Sequence, residues 1–417
     1  MAHFKDIYYL HLEISNLCNA ACPCCPRFNS NTPLPSKHLP LGYIDLKSFK
    51  EWFPPEILKR IRRLNFCGNH GDPGTNPDFP EIVEYCAEHS SYESFSFHTN
   101  GGMLNPSFWT KLAKACNKVK SKERVKPVFS IDGLEDTNHI YRRNVKWDKL
   151  MKNVKAFNEV RNPKVHTTWD FLVFKHNEHQ LEKARKLSME LRFKNIEFKA
   201  PLNLDDGVNI TPVPVLSKDG AIMYWLNPTV FEEFKPSYLA KNPKKVYKNQ
   251  DKWKEIGFDW NGKVSDDDKK MISKAEPIKI RPRCGQNDLY VESNGDVHPC
   301  CFVATKFYEQ KSYYLDGKGV NIANRQQLDY MNKVGFDKFN LNTTTLKEMI
   351  DNRELKKMYN DNWKKTVGEG KMIKCAEYCG QTNAIDVIYG TGREDINTER
   401  SHAGVAAAKK ADKDYEI

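Results

Sequence analysis

Residues 11–27, HLEISNLCNAACPCCPR, constrain this chain more than any other segment, because they place three cysteines at close spacing. Cys18, Cys22 and Cys25 follow a strand-like run and are separated by three and then two residues. Thiolates bind soft metals and iron–sulfur clusters, and a cubane cluster usually has four of them. Three thiolates leave one iron without a protein ligand, and an open metal position is where a metal site performs chemistry. A structural zinc site or a disulfide pair is the alternative explanation of these residues alone.

Strand-like and helix-like segments alternate through the first 200 residues. Strands are predicted at 6–14, 62–67, 94–98, 125–131, 166–174 and 195–199, and helices at 45–60, 81–89, 108–119, 146–160 and 179–192. Strands that alternate with helices in this way indicate right-handed β/α units and a parallel sheet. The sequence therefore predicts an α/β fold.

Four short motifs come directly after the first four predicted strands. They are the cysteine segment, Gly71-Asp72-Pro73, Thr99-Asn100-Gly101 and Ser130-Ile131-Asp132-Gly133. Each of the last three is also a common turn or strand-end sequence. Reactive groups in β/α barrels collect at the carboxyl ends of the strands, so the order of the motifs predicts one shared site.

Together these motifs resemble the radical S-adenosylmethionine (SAM) superfamily, whose signature is CxxxCxxC. The resemblance implies a partial (β/α)6 TIM-type barrel and a [4Fe–4S] cluster on Cys18, Cys22 and Cys25. In that superfamily the open iron is chelated by SAM, and an electron from the cluster cleaves SAM to a 5′-deoxyadenosyl radical. The radical then abstracts a hydrogen atom from the substrate. The resemblance also implies oxygen sensitivity and a reductant such as flavodoxin or ferredoxin.

The resemblance extends to the residues expected to contact SAM. Gly71, Asp72 and Pro73 resemble the second-strand GGEP-type motif, which contacts the SAM amino group, although Asp replaces the usual Glu and His70 precedes the motif. Thr99 and Asn100 resemble the TNG sequence that follows the third strand.

The segment after the fourth strand resembles the SxDG…R element of the superfamily. The resemblance implies that Ser130 and Asp132 lie near the ribose or methionine part of SAM. It also implies that Arg143, or its neighbour Arg142, contacts the SAM carboxylate, which suits a charge-assisted pair. Cys24 stands where the superfamily often has a bulky residue, which leaves the identity of the third ligand open.

A second group of cysteines lies between residues 281 and 390. Cys284 and Cys300 flank an Asn-Gly hairpin signal, and Cys375 and Cys379 follow a helical stretch at 346–363. Four thiolates in such a unit can close an iron–sulfur cluster or bind zinc.

This arrangement resembles the twitch or reduced SPASM domain of radical SAM enzymes. The resemblance implies one auxiliary [4Fe–4S] cluster, with Cys284, Cys300, Cys375 and Cys379 as its ligands. The four-residue spacing after the hairpin glycine favours Cys300 over Cys301. The expected domains are a barrel at 1–200, a connector or insertion at 201–280, the cluster domain at 281–390 and a tail at 391–417.

Charge and hydropathy restrict the partners and the compartment. The formal net charge is +11, partly from a Lys-rich region at 235–283 that is either a solvated face or an anion-binding surface. No apolar run could span a bilayer and no secretory signal is present, so a cytoplasmic protein without a membrane partner is expected. The substrate class stays open between a peptide or protein and an anionic small molecule such as a nucleotide or sugar phosphate. The alternative function is a non-enzymatic zinc or nucleic-acid-binding protein that uses the same cysteines structurally.

Overall fold

The strands and helices follow the predicted alternation closely. The computed structural model describes residues 7–28, 32–201, 212–231, 288–305, 307–318, 320, 322–359 and 375. The strands are β1 Ile7–Leu12, β2 Ile61–Phe66, β3 Ser91–Thr99, β4 Lys120–Ser130, β5 Thr168–Leu172, β6 Asn195–Lys199, β7 Val213–Leu216, β8 Ile222–Leu226, β9 Asp288–Val291 and β10 Val297–His298. The helices are α1 Leu46–Trp52, α2 Pro55–Leu58, α3 Phe79–His89, α4 Pro106–Lys118, α5 Asn138–Tyr141, α6 Trp147–Val160, α7 Leu181–Glu190, α8 Cys301–Ala304, α9 Phe307–Leu315, α10 Ile322–Val334, α11 Leu346–Asn352 and α12 Glu354–Tyr359.

Eight of the strands form one sheet in the order β10-β9-β1-β2-β3-β4-β5-β6. The six strands from β1 to β6 are parallel, which confirms the predicted α/β fold and its partial-barrel architecture. Strand β9 also pairs in parallel with β1, with Leu289 opposite Leu10, and β10 runs antiparallel to β9. Residues 288–298 therefore extend the barrel sheet, and the cluster domain expected at 281–390 stays a prediction.

The two faces of the sheet differ in polarity because side chains alternate along each strand. Leu10, Leu64 and Phe95 lie opposite one another in β1, β2 and β3 and are fully buried with the helices. The next residues along β1 and β2, His11 and Asn65, point to the other face. That inner face is polar, and it is the face on which the carboxyl-end loops converge.

The structure corrects two element predictions. The connector at 201–280 contains a two-stranded hairpin, β7–β8, that the sequence analysis did not identify. Its signal is Asp219-Gly220, where Gly220 has φ +81°, a value that suits glycine at a turn. The helix predicted at 346–363 instead breaks at Arg353, which adopts φ +59° between α11 and α12. Helices α8 to α10 were also not predicted.

No helix in the described part of the chain is both long and apolar enough to cross a membrane.

Candidate functional site

The three cysteines of the signature lie on the loop that leaves β1. Burial raises the pKa of each thiol, to about 12 for Cys25, and proximity to Cys22 raises the pKa of both Cys18 and Cys25 further. Cys18 and Cys25 thus both lie near enough to Cys22 for their thiols to interact electrostatically with it. Buried thiolates are unstable unless a cation or a metal cluster compensates their charge. The donor set fits a thiolate-bound cluster, with three protein ligands on one short loop.

Two N–H groups point at these sulfur atoms. Asn100 donates from Nδ2 to Cys18 Sγ at 3.5 Å and to Asn19 Oδ1 at 3.0 Å. Arg142 donates from Nη1 to Cys22 Sγ at 3.6 Å. Hydrogen bonds to cluster sulfurs orient the ligands and tune the reduction potential of an iron–sulfur cluster. The loops after β3 and β4 thus reach the cysteine loop.

Asp72 joins the loops that follow β2 and β3. Its Oδ1 accepts hydrogen bonds from Thr99 Oγ1 (2.7 Å) and Gly74 N (2.8 Å), and its Oδ2 accepts one from Asn100 N (2.7 Å). Burial raises the pKa of this carboxyl group. Both carboxylate oxygens therefore contact the protein itself, and Asp72 fixes the position of the Thr99–Asn100 turn. Pro73 begins the 3-10 turn that follows.

Gly71 allows the loop after β2 to pack directly on the segment before the cysteines. A Cβ atom at this position would lie 1.9 Å from the carbonyl oxygen of Ser15. No side chain fits in that space, so the backbone at Gly71 approaches the cysteine loop closely only because this residue is glycine.

The two arginines after β4 have different surroundings. Arg142 donates from Nε to Asp132 Oδ2 at 2.5 Å, and Leu172 N donates to Asp132 Oδ1 at 2.6 Å. Arg143 instead donates to the Leu216 carbonyl oxygen in β7 at 3.4 Å. Arg142, which the sequence analysis gave as the second choice, is thus the arginine beside the cysteine loop. Ser130 ends β4 and is half-buried opposite Asp170.

Charged side chains on the inner face of β4 to β6 were missed by the motif analysis. Lys126 Nζ lies 2.8 Å from Glu197 Oε1, and Lys199 Nζ lies 2.6 Å from Asp170 Oδ2. Burial, with Lys199 and Lys126 nearby, lowers the pKa of His98 to about 4. The alternation of side chains along each strand could have identified these charged residues, but only after it is known which face of the sheet packs against the helices.

The auxiliary cysteines are only partly within the described residues. Cys375 is buried in an apolar cluster that contains Val303 and Phe307, and Cys300 packs against the same cluster. Cys301 instead lies close enough to Cys67, at the end of β2, to raise the pKa of that thiol beyond the effect of burial. Cys284 and Cys379 lie outside the described residues, so the four-cysteine arrangement stays a prediction.

Comparisons with known proteins agree with this geometry. Residues 12–187 match the model of the radical SAM superfamily. A GTP 3′,8-cyclase of Vibrio atlanticus (strain LGP32) is 29% identical over 103 residues, which are 23% of this chain and 28% of that protein. The match thus spans about a quarter of the length of that curated relative.

Two solved structures are also similar. Native anSMEcpe with bound AdoMet is 16% identical to this chain, with a TM-score of 0.45. The alignment covers 97% of this chain and 98% of the anSMEcpe chain. Streptococcus suis SuiB bound to S-adenosylmethionine is 15% identical to this chain, with a TM-score of 0.40. The alignment covers 72% of this chain and 61% of the SuiB chain. TM-scores below 0.5 carry no functional argument, so the assignment depends on the match over residues 12–187. Residues 12–187 are thus a radical SAM domain.

Proposed function

We propose that this enzyme holds a [4Fe–4S] cluster on Cys18, Cys22 and Cys25 and cleaves SAM reductively. The observation that carries the proposal is that N–H donors from the loops after β3 and β4 reach the half-buried Cys18 (from Asn100) and the buried Cys22 (from Arg142) on the loop after β1. When bound, such a cluster supplies the electron that converts SAM into a 5′-deoxyadenosyl radical. The chain itself positions the cluster and SAM and excludes water.

The proposed SAM contacts come from the loops after β2, β3 and β4. Gly71 and Pro73 shape the backbone that would receive the SAM amino group, and Asp72 holds that loop to Thr99 and Asn100. Ser130 and Asp132 would face the ribose or methionine part. For the SAM carboxylate the surroundings favour Arg142 over the predicted Arg143, because only Arg142 donates to a signature cysteine in this structure.

We also propose one auxiliary [4Fe–4S] cluster on Cys284, Cys300, Cys375 and Cys379. The common packing of Cys300 and Cys375 against one apolar cluster supports this set, and it favours Cys300 over Cys301. The proposed reductant is a flavodoxin or ferredoxin. A reducing cytoplasm would keep these thiols available as ligands.

The proposed substrate binds against the polar inner face of the sheet. Lys126, Lys199 and His98 offer donors there, and Glu197 and Asp170 offer acceptors, so a substrate rich in polar groups fits this wall better than an apolar one. A peptide and an anionic small molecule both satisfy this requirement. The hydrogen-atom abstraction itself is common to either class.

The first experiment is anaerobic reconstitution of the full chain, with quantification of iron, sulfide and zinc. Dithionite and SAM are then added, and 5′-deoxyadenosine is measured. About eight irons, with deoxyadenosine formed by the wild type and lost in Cys18→Ala, are expected for two cubane clusters. Cys24→Ala is the matched control on the same loop and should keep the activity. Zinc alone without deoxyadenosine would contradict the proposal.

The auxiliary cluster is tested separately by comparing Cys300→Ala with Cys301→Ala. Loss of about four irons only in Cys300→Ala is expected, because the auxiliary cluster would lose one of its four protein ligands and has no SAM to take that position. An unchanged iron content in both variants would contradict the auxiliary cluster and leave the SAM-binding cluster unaffected.

A further inference from the structure

We propose that Glu13, His70 and Glu292 form a buried site for one divalent transition metal of the zinc type, separate from the cysteine clusters. The three residues follow β1, β2 and β9, which are neighbours in the sheet in the order β9-β1-β2. Parallel neighbouring strands bring their carboxyl ends to one edge, so these residues meet although they are far apart in sequence. His70 is also one of the two departures from the GGEP-type motif, beside Asp72.

The three side chains converge in a geometry that suits a small cation. One donor atom from each lies within 4.8 Å of the other two. His70 Nδ1 lies 3.5 Å from Glu13 Oε2. Metal–ligand bonds of about 2.0–2.2 Å in a tetrahedral site place neighbouring donor atoms roughly 3.4 Å apart. A small inward shift of Glu292 would therefore complete three corners of a tetrahedron.

The second, independent observation is that Glu292 and His70 bring buried polar atoms without hydrogen bonds to this group. Glu292 is completely buried and neither of its carboxylate oxygens accepts a well-aligned hydrogen bond, and His70 Nδ1 is paired with Glu13 Oε2 at 3.5 Å without a hydrogen bond. The hydroxyl of Tyr308, which lies beside Glu292, donates instead to Asn294 Oδ1 at 2.9 Å. Buried polar atoms without partners are rare and costly, and a buried carboxylate is normally paired or bound to a metal. A divalent cation would satisfy these atoms and balance the two carboxylates.

The surroundings of Glu13 resemble the outer contacts of a metal ligand. Its Oε1 accepts hydrogen bonds from His70 N (2.8 Å) and Gly71 N (2.7 Å), and its Oε2 accepts one from the hydroxyl of Tyr290. Carboxylate ligands are usually held by such contacts, which fix their orientation. The Glu13 carboxylate is thus already positioned by the loop after β2 and by β9.

His298 in β10 is a further buried histidine next to Glu292. His298 is completely buried, its Nε2 lies 3.8 Å from Glu292 Oε2, and that nitrogen has no hydrogen-bond partner. The other ring nitrogen, Nδ1, lies 2.9 Å from Gln327 Nε2, the nitrogen of an amide whose oxygen and nitrogen can be exchanged by a flip. If Gln327 presents its amide oxygen, Nδ1 carries the proton and Nε2 is free to bind a metal. His298 does not belong to the group of three donor atoms that lie within 4.8 Å of one another, so Glu13, His70 and Glu292 are the proposed ligands.

Such a metal would fasten β9 and β10 to the loop that carries Gly71 and Asp72. Metal binding at this site does not depend on the proposed function. An effect of the metal on SAM binding does rest on the proposed function, because the metal would act through the loop after β2, which is proposed to contact SAM.

The test uses the full chain, anaerobically reconstituted so that iron–sulfur clusters occupy the cysteines, then dialysed against zinc and freed of excess metal. One zinc per chain is expected in addition to the cluster iron. X-ray absorption at the zinc edge should show only nitrogen and oxygen neighbours at about 2.0–2.1 Å. Zinc in a cysteine site would instead show sulfur at about 2.3 Å. A protein without zinc, or zinc with sulfur neighbours, would overturn the proposal without any variant.

Glu292→Gln and His70→Asn should each weaken zinc binding by about a hundredfold or more, since losing a direct ligand costs more than losing an outer contact. Glu354→Gln, which alters a glutamate paired with Lys357 away from the cluster, is the matched control and should keep one zinc. Equal zinc content in Glu292→Gln and in the control would overturn the proposed ligand set. If the zinc-free protein still forms deoxyadenosine, the proposed SAM chemistry stands and only the proposed zinc site is overturned. The failure of one proposal is therefore distinguishable from the failure of the other.

Discussion

Arg142 places Nη1 3.6 Å from the sulfur of Cys22, while Arg143, the next residue, has its guanidinium against β7. Arg142 also pairs through Nε with the fully buried Asp132. One side chain therefore connects the loop after β4 with the cysteine loop. The adjacent arginine offers a matched control for every test of this connection.

Arg142→Gln should reduce deoxyadenosine formation by about tenfold or more, because it removes a charge-assisted donor from Cys22 and from Asp132. Leaving the Asp132 carboxylate unpaired should also lower the free energy of unfolding by about 1–3 kcal/mol. Steady-state rates and urea unfolding would measure the two effects. Arg143→Gln should change the rate much less. Weaker SAM binding in Arg143→Gln alone would instead restore Arg143 as the carboxylate contact.

Thr99→Val should raise the dissociation constant for SAM, since it removes the hydrogen bond that Thr99 donates to Asp72 and frees the turn at Asn100. The cost in folding free energy should be about 1 kcal/mol, that of one hydrogen bond. Thr99→Ser keeps the hydroxyl and should behave like the wild type. Calorimetric titration with SAM would distinguish them, and equal affinities for all three proteins would contradict the role of this hydrogen bond.

Gly71→Ala should abolish deoxyadenosine formation, because the new Cβ would meet the Ser15 carbonyl oxygen at 1.9 Å and force the two loops apart. Gly42→Ala is the control, since an added Cβ there meets no atom within 4 Å. Iron content after reconstitution would show whether the cysteine loop moves as well. Full activity in Gly71→Ala would contradict this prediction, because the loop would then have moved to make room for the Cβ atom without loss of function.

The stability of the fold should fall as the pH decreases from about 6.5 to about 4, partly because of His98. Burial lowers the pKa of His98 to about 4, so the unfolded chain takes up a proton at a higher pH than the folded chain. The stabilisation from the neutral imidazole is present above about pH 6.5 and is lost as the pH falls towards 4.

His98→Gln should therefore reduce the pH dependence of the free energy of unfolding by an amount of the order of 1 kcal/mol. Urea unfolding of wild type and variant at pH 7 and pH 5 would measure the difference. The pH dependence should decrease without disappearing, because burial also lowers the pKa of His11 and His176. Identical pH dependence in both proteins would contradict the assignment of this effect to His98.

The sequence by itself determined the order of the strands and helices in the first 200 residues. The periodicity of apolar residues is a local property, so it predicted β1 to β6. The motifs lie at the ends of those predicted strands, so their positions predicted that Cys18, Asp72 and Asn100 lie close together. The hairpin β7–β8 was missed because Pro214 obscures the strand pattern, while Asp219-Gly220 alone gives a weak signal.

Only the tertiary structure decided which side chains face one another. Adjacent residues such as Arg142 and Arg143 are equivalent to a sequence motif, and the backbone path after β4 separates their surroundings. The pairing of β9 with β1 brings Glu292 to Glu13 across 279 positions. Such a contact depends on strand order and register, which no local pattern encodes.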